Sequence, residues 1–333
     1  MEQSFLAWLK GRVRGLPQVA IGIGDDAAIL DLPPDHQLVA TTDSIIDQVD
    51  FLADRHLAAD IGFKAMAINL SDIAAMGGRP MAALVTLALP AIKATETAAA
   101  VYEGILEAAE KYQVAIAGGD LSVHDGPLSI TITLLGQVPT GGAWLRSGAR
   151  EGDCLIVSGP IGGSLQGRHL RPTPRLDLVA ALRGEVEVHA AIDISDGFSL
   201  DLDRLCAASG VGAEVEPESI PIHPDAVARA QESGRTPLEH ALGDGEDFEL
   251  ILALSPQDWK KFAARGRELG MVRVGQFIGR TGLWSREGRG LKRMLASGYI
   301  HGQRRDPTTA QASLQGTAAP AQPRTAVETE GQS

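Results

Sequence analysis

Four apolar runs in this chain each close on acids. "AIGIGDD" stops at Asp25 and Asp26, "LVATTD" at Asp43, "VAIAGGD" at Asp120 and "AAIDISDG" at Asp193 and Asp196. Such runs suit the interior of a sheet, and an ionised carboxylate does not. The chain must therefore fold so that several strands end at a surface that accepts negative charge. Two carboxylates about 4 Å apart repel by roughly 4 kcal/mol at an effective dielectric near 20. Two readings are open. Each acid bonds its own turn backbone in water, as Asp does after strands, or several converge and a cation neutralises them. Lys and Arg are scarce near each acid; Lys64, eight positions from Asp72, is among the closest. Oxygen-only ligands favour Mg²⁺ or Ca²⁺, and Mg²⁺ usually shares its shell with substrate phosphates.

Helical and strand patterns alternate around these acids. Residues 2–14 predict a short helix, 37–42 a strand leading into Asp43, and 57–77 a long helix. On that helix Phe63, Met66, Ala67, Leu70, Ile73 and Ala74 fill one half. Lys64, Asn69, Ser71 and Asp72 lie on the other. "GGRP" ends it. Residues 81–90 predict a strand, 95–113 a helix, 113–120 a strand entering a glycine turn, and 128–136 an alternating strand. Turn-rich residues 139–153 mark the expected boundary between an N-terminal domain, 1–140, and a second domain, 141–305. Residues 306–333 lack aromatic residues and periodicity and predict a disordered tail. The alternation is irregular, so α+β with layered sheets fits as well as a doubly wound fold.

Composition excludes several functions. A formal net charge of −12 argues against non-specific nucleic-acid binding and against an anionic membrane surface. It leaves phosphate ligands open, because metal ions invert local charge. No apolar run approaches about 18 residues, so no membrane span is expected. "MEQSFLAWLKGRVRG" does not read as a signal peptide. The two cysteines, Cys154 and Cys206, show no CxxC spacing, so a reducing cytoplasm is the expected location.

Three look-alike motifs are set aside. "GIGDDA" fits a loose dinucleotide pattern, but "ILDLPP" breaks the helix it would need and its acids would repel a metal-free pyrophosphate. "SGPIGGS" is a weak phosphate-loop candidate for which a plain turn is the alternative. Ser195 becomes a nucleophile only if a histidine approaches it.

In order along the chain, "GIGDDAA", "TTD", "KAMAINLSDIAAMGGRP", "IAGGD", "LRSGAREGD", "HLRPTPR", "AIDISDG", "GDGEDFEL" and "SGYIHG" resemble the thiamine-monophosphate kinase family. That family sits in the superfamily of aminoimidazole-ribonucleotide synthase, selenophosphate synthetase and the hydrogenase-maturation dehydratase. The matching pieces run from about residue 20 to residue 302, and the long "KAM" block is the most specific. The resemblance implies a two-domain PurM-like α+β fold whose N-terminal sheet joins that of a second copy in a dimer barrel. It implies ATP-dependent phosphorylation of thiamine monophosphate to thiamine diphosphate. Carried over by motif, Asp26, Thr41, Thr42, Asp43, Asp72, Asp120 and Asp193 would hold Mg²⁺ ions, with Asp196 on a further one. Gly119, Arg146 and Ser195 would contact ATP, and Glu246 and Tyr299 the thiamine moiety. Asp50-Phe51 stands where the family usually has His-Phe near the substrate; an acid there favours a cationic thiazolium over an incoming phosphate. The alternatives are a sibling ATP-dependent synthetase with another small acceptor, or a non-catalytic ATP- or cation-binding module. A selenophosphate synthetase would need an early reactive cysteine, and the first here is Cys154.

Overall fold

The structure, a computed structural model, describes residues 2–13, 15–23, 27–288 and 290–300. Asp25, Asp26 and the expected tail, 306–333, lie outside the described residues. The first half runs α1 (Glu2–Lys10), β1 (Val19–Ile21), β2 (Ile29–Leu30), β3 (His36–Ile46), α2 (Ala58–Ala75), β4 (Arg79–Pro90), α3 (Ala94–Tyr112), β5 (Ala115–His124) and β6 (Ser129–Pro139). A four-stranded sheet is built in the order β3-β6-β4-β5. β4 and β5 are parallel, which requires a crossover, and α3 supplies it.

Period-two alternation gives this sheet two unlike faces. Ile130, Ile132 and Leu134 of β6 and Val85, Leu87 and Leu89 of β4 are buried in one core with α2 and α3. Leu84, Thr86, Thr133 and Leu135 point the other way, into an open cavity of about 920 Å³. α2 and α3 touch backbone to backbone. A Cβ on Gly62 would lie 1.9 Å from the Val101 carbonyl oxygen, and one on Gly104 1.6 Å from that of Ala59.

The second half runs β7 (Cys154–Val157), α4 (Leu176–Leu182), β8 (Val188–Asp193), α5 (Phe198–Ser209), β9 (Gly212–Val215), α6 (Pro224–Ser233), α7 (Pro237–Gly243), β10 (Leu250–Leu254), α8 (Pro256–Glu268), β11 (Val272–Ile278), β12 (Gly282–Glu287) and β13 (Gly290–Met294). Its seven-stranded sheet has the order β13-β12-β9-β11-β7-β10-β8, with only the β12–β9 pair parallel. α5 packs on one face through Phe198, Leu202 and Leu205. α4 and α8 pack on the other through Leu178, Leu182 and Phe262. The halves lend each other core residues: Ala74 and Ala75 of α2 join the second-half core with Trp144, and Phe248 joins the first-half core.

Two strands run further than their sequence patterns suggest. β3 continues past Asp43 to Ile46, and β5 continues through Gly118, Gly119 and Asp120 to His124. The glycines of β5 make no turn. They sit at an irregularity in the β4–β5 register, and a Cβ on Gly119 would stand 1.9 Å from the Val85 carbonyl oxygen. Glycine is needed there for a close strand approach. Among the described residues, no helix is long and apolar enough to cross a membrane.

Candidate active site

β3, α2, the end of β8 and the loop before β10 meet at a cavity of about 630 Å³. α2 is its hub. The polar half of this helix does not face water: Lys64, Asn69 and Ser71 are buried against the second half or their own helix. A buried polar group needs a partner, and each has at least one, although the buried Asn69 Oδ1 has none among the described residues. Asn69 donates to the Ala65 carbonyl at 3.0 Å. Ser71 Oγ donates to Asp193 Oδ2 at 2.7 Å across the two halves. Lys64 Nζ donates to both Glu246 oxygens, at 3.0 and 2.9 Å, and to the Asp50 carbonyl at 2.8 Å.

The acids on the cavity wall crowd one another. Burial, then the neighbouring Asp193 charge, raises the Asp72 pKa to about 6 against the opposing pull of the Thr41 hydroxyl, Arg146 and a hydrogen bond with the Asp43 carboxyl. Thr41 Oγ1 donates to Asp72 Oδ2 at 2.5 Å. Burial likewise raises Asp193 to about 6, although the Ser71 hydroxyl and Arg146 pull it down. Beyond Asp193 the chain turns sharply. Asp201 Oδ2 accepts the backbone N–H groups of Ser195, Asp196 and Gly197 at 3.1, 3.0 and 3.1 Å, which fixes that turn. Burial raises Asp201 to about 6 as well. Arg204 Nη1 donates to Asp196 Oδ2 at 2.6 Å and Asp201 Oδ1 at 2.7 Å. Two further segments are tied to the turn by backbone: the Glu246 N–H donates to the Ser195 carbonyl at 2.7 Å, and the Tyr299 N–H to the Asp196 carbonyl at 2.8 Å.

Asp43, Asp50, Asp72, Arg146, Asp193, Ser195, Asp196, Glu246 and Tyr299 thus line one cavity, drawn from both halves. Thr41 lines an adjoining space of about 280 Å³ together with Asp72, Arg146 and Asp193. The remaining expected residues lie elsewhere. Thr42 sits on the opposite face of β3, with its Oγ1 3.1 Å from Thr133 Oγ1. Gly119 and Asp120 line the 920 Å³ cavity instead. Asp120 pairs with Thr86, Thr86 with Thr131 and Thr131 with Ser44. Three strand spacings separate Asp120 from Ser44, about 14 Å. Asp26 lies outside the described residues.

Other features resolve in plain chemical terms. Two glycine amides of "SGPIGGS" are already taken: Gly162 N–H donates to Asp247 at 2.8 Å and Gly163 N–H to Asp244 at 3.2 Å, so the turn cradles protein carboxylates. Among the described residues, no histidine lines the 630 Å³ cavity, so Ser195 has no imidazole base there. The "HLRPTPR" block is a structural seam. Arg171 pairs with Asp60 and Glu107, and Arg175 with Ser158, Glu249 and Leu269.

The donor set fits Mg²⁺ on chemical grounds: hard carboxylates, two of which burial, helped by neighbouring carboxylates, leaves near pKa 6. Among the described residues, no three of His, Cys, Asp and Glu are close enough to hold an ion by themselves. The acids come together in smaller groups, such as Asp72 with Asp43 and Asp193, which suits ions that complete their shells with water and phosphate.

Residues 24–138 match the N-terminal domain of AIR synthase related protein, and residues 150–284 its C-terminal domain. Both domains in tandem, on the layered α+β architecture above, define an AIR synthase related enzyme of the PurM-like fold. A thiamine-monophosphate kinase of Rhodopirellula baltica is 60% identical over 311 residues, spanning 91% of this chain and 98% of that protein. The crystal structure of thiamine-monophosphate kinase from Stenotrophomonas maltophilia K279a superposes with a TM-score of 0.73 at 32% identity, covering 85% of this chain and 94% of the other. AaThiL complexed with AMPPCP and TMP superposes at 0.72 and 29% identity, covering 90% and 95%. The chain belongs to the thiamine-monophosphate kinase family of enzymes.

Proposed function

We propose that this enzyme transfers the γ-phosphoryl group of ATP directly, in line, to the phosphate of thiamine monophosphate, giving thiamine diphosphate. The observation that carries the reading is the single cavity in which Asp43, Asp72, Asp193 and Asp196 stand around Arg146. Phosphoryl transfer asks for positioning and charge neutralisation more than for a covalent catalyst. Mg²⁺, when bound by Asp43, Asp72, Asp193 and Asp196, would screen the two phosphate groups from each other. Arg146, which lines the same space as Asp72 and Asp193 and whose charge acts on both, would supply a positive charge for a phosphate oxygen. The acceptor phosphate, with a second pKa near 6, is already mostly ionised at neutral pH, so no general base is required. That agrees with a wall which, among the described residues, contains no histidine. Glu246 and Tyr299, tied by their backbone N–H groups to the Ser195 and Asp196 carbonyls, would meet the organic part of the acceptor, with Asp50 on the same cavity wall.

A homodimer belongs to this reading. β3 is an eleven-residue edge strand with Leu38 53% exposed, and the open sheet face carries Leu84 at 37%. Long bare edges and apolar sheet faces call for a cover. Meeting of the β3 edge of one copy with the β5 edge of another would close a barrel. It would also carry Gly119 and Asp120 of each copy toward Thr42 and Asp43 of the other. A division into two domains near residue 140 belongs here too, supported by sheets that fall on either side of it. Two buried, unpaired cysteines support a cytoplasmic location. The test is direct: incubate the protein with ATP, MgCl₂ and thiamine monophosphate and separate the products by chromatography. Thiamine diphosphate with matching ADP is expected; its absence would refute the proposal.

A further inference from the structure

We infer that Lys64 is a positioning residue that aims the Glu246 carboxylate at the far, organic end of the phosphate acceptor; the inference rests on the reading of the cavity just given. Lys64 is 1% exposed. An ammonium group is costly to bury unless its hydrogens are all engaged. The three bonds to Asp50 and Glu246 engage them. Ion pairing is one consequence, and aim is the other. Glu246 sits on a loop with a left-handed backbone, φ +54°, its N–H held by Ser195. A glutamate on such a loop has many side-chain orientations, and the bidentate contact with Lys64 leaves one.

Two features give this aim a meaning for substrate choice. The first is charge. Lys64 neutralises Glu246, so the carboxylate is no longer a net anion toward the cavity. A carboxylate offers about four lone-pair positions and Lys64 takes two, so the rest can accept from a neutral donor. The exocyclic amino group of the aminopyrimidine ring is such a donor. The second is spacing. Lys64 and Asp72 are eight residues apart on α2, or about 12 Å along the axis. One rigid helix therefore sets the distance between the carboxylate at the phosphate end and the Glu246 acceptor at the other. An acceptor lacking the pyrimidine ring would reach only one end.

The experiment compares two acceptors, thiamine monophosphate and the phosphate ester of its thiazole half alone, on wild type, Lys64→Met, Glu246→Gln and the double variant. In Lys64→Met the KM for thiamine monophosphate should rise roughly 10- to 100-fold, the effect of one charge-assisted hydrogen bond. The KM for ATP and kcat/KM for the thiazole ester should stay within about threefold, so the preference between the two acceptors collapses. Glu246→Gln should show the same collapse, and the double variant should be no worse than either single one. If Lys64→Met does not fold, Glu246→Gln and the double variant, which removes both charges, carry the comparison. A uniform loss on both acceptors and on ATP, or an unchanged preference, would overturn the inference and leave the proposed activity standing. A wild-type enzyme that makes no thiamine diphosphate would overturn both.

Discussion

Replacing Gly104 with Ala sets two effects of opposite sign against each other. Gly104 lies inside α3, where Ala should favour the helix by about 1 kcal/mol. The new methyl group, however, would lie 1.6 Å from the Ala59 carbonyl oxygen, 2.6 Å from its carbon and 2.7 Å from the Phe63 nitrogen. All three are backbone atoms of α2, so no rotamer change relieves the clash. Ordinary contact begins near 3.4 Å, so the two helices must part by close to 2 Å. The seam they share buries Ile61, Phe63, Met66, Val101 and Ile105. A radial gap of even ~1 Å forfeits up to about half of a contact's dispersion energy. Overpacking generally costs about 1–3 kcal/mol, and a clash with rigid backbone belongs at the upper end, about 3 kcal/mol. Net of the propensity gain, Gly104→Ala should lose about 2 kcal/mol. Because α2 also carries Lys64, Ser71 and Asp72, turnover should fall with it. Urea unfolding gives the stability and thiamine diphosphate formation the activity. A midpoint equal to or above wild type would show that the helices do not meet through bare backbone, and the packing argument would be wrong.

Other perturbations test separate parts of the structure. Asp43→Asn and Asp120→Asn should each abolish turnover while leaving the circular dichroism spectrum and melting transition near wild type; near-normal rates in both would remove the metal assignment. His169, 1% exposed, has a pKa lowered to about 4, first by burial and then by Lys64. Its folded value lies below the unfolded 6.5, so the neutral ring's stabilisation is full above pH 6.5 and is lost as pH falls toward 4. At one pKa unit per 1.36 kcal/mol the loss is about 3 kcal/mol. Subtracting the stability–pH curve of His169→Gln from that of wild type should isolate this slope, and parallel curves would contradict it. Leu38→Asp on the bare edge of β3 should shift the protein from dimer to monomer in sedimentation velocity; an unchanged mass would place the interface elsewhere.

Local pattern carried the reading of elements a long way and then failed at identifiable points. The 3.6-residue period of α2 and the alternation of β6 were visible because apolar residues recur at fixed spacing. The burial of Lys64, Asn69 and Ser71 was not, because what covers that half of α2 lies more than a hundred residues away at Asp193 and Glu246. The true length of β5 was hidden for a different reason. Gly118-Gly119 is a turn signal in isolation and a close strand approach once Val85 is placed beside it. For the site, Asp43, Asp72 and Asp193 were legible as acids with few nearby cations. Asp201 and Arg204 were missed, because their part depends on how the 195–197 amides turn. Asp201 in the first turn of α5 was the available signal, since an acid there can reach back to free N–H groups. The motif order that signalled the family did not separate site from scaffold: "AIDISDG" builds the cavity, whereas "HLRPTPR" stitches the halves together.

The exchange of core residues between the halves limits how such a chain can be rebuilt. A crossover placed in the turn-rich segment near residue 145 looks like a clean joint for grafting one half onto a relative's other half. It would strand Ala74 and Ala75 against a foreign wall and seat a foreign side chain where Phe248 belongs. Chimeras should fold only when residues 74, 75 and 248 travel with the half they fill rather than the half that encodes them.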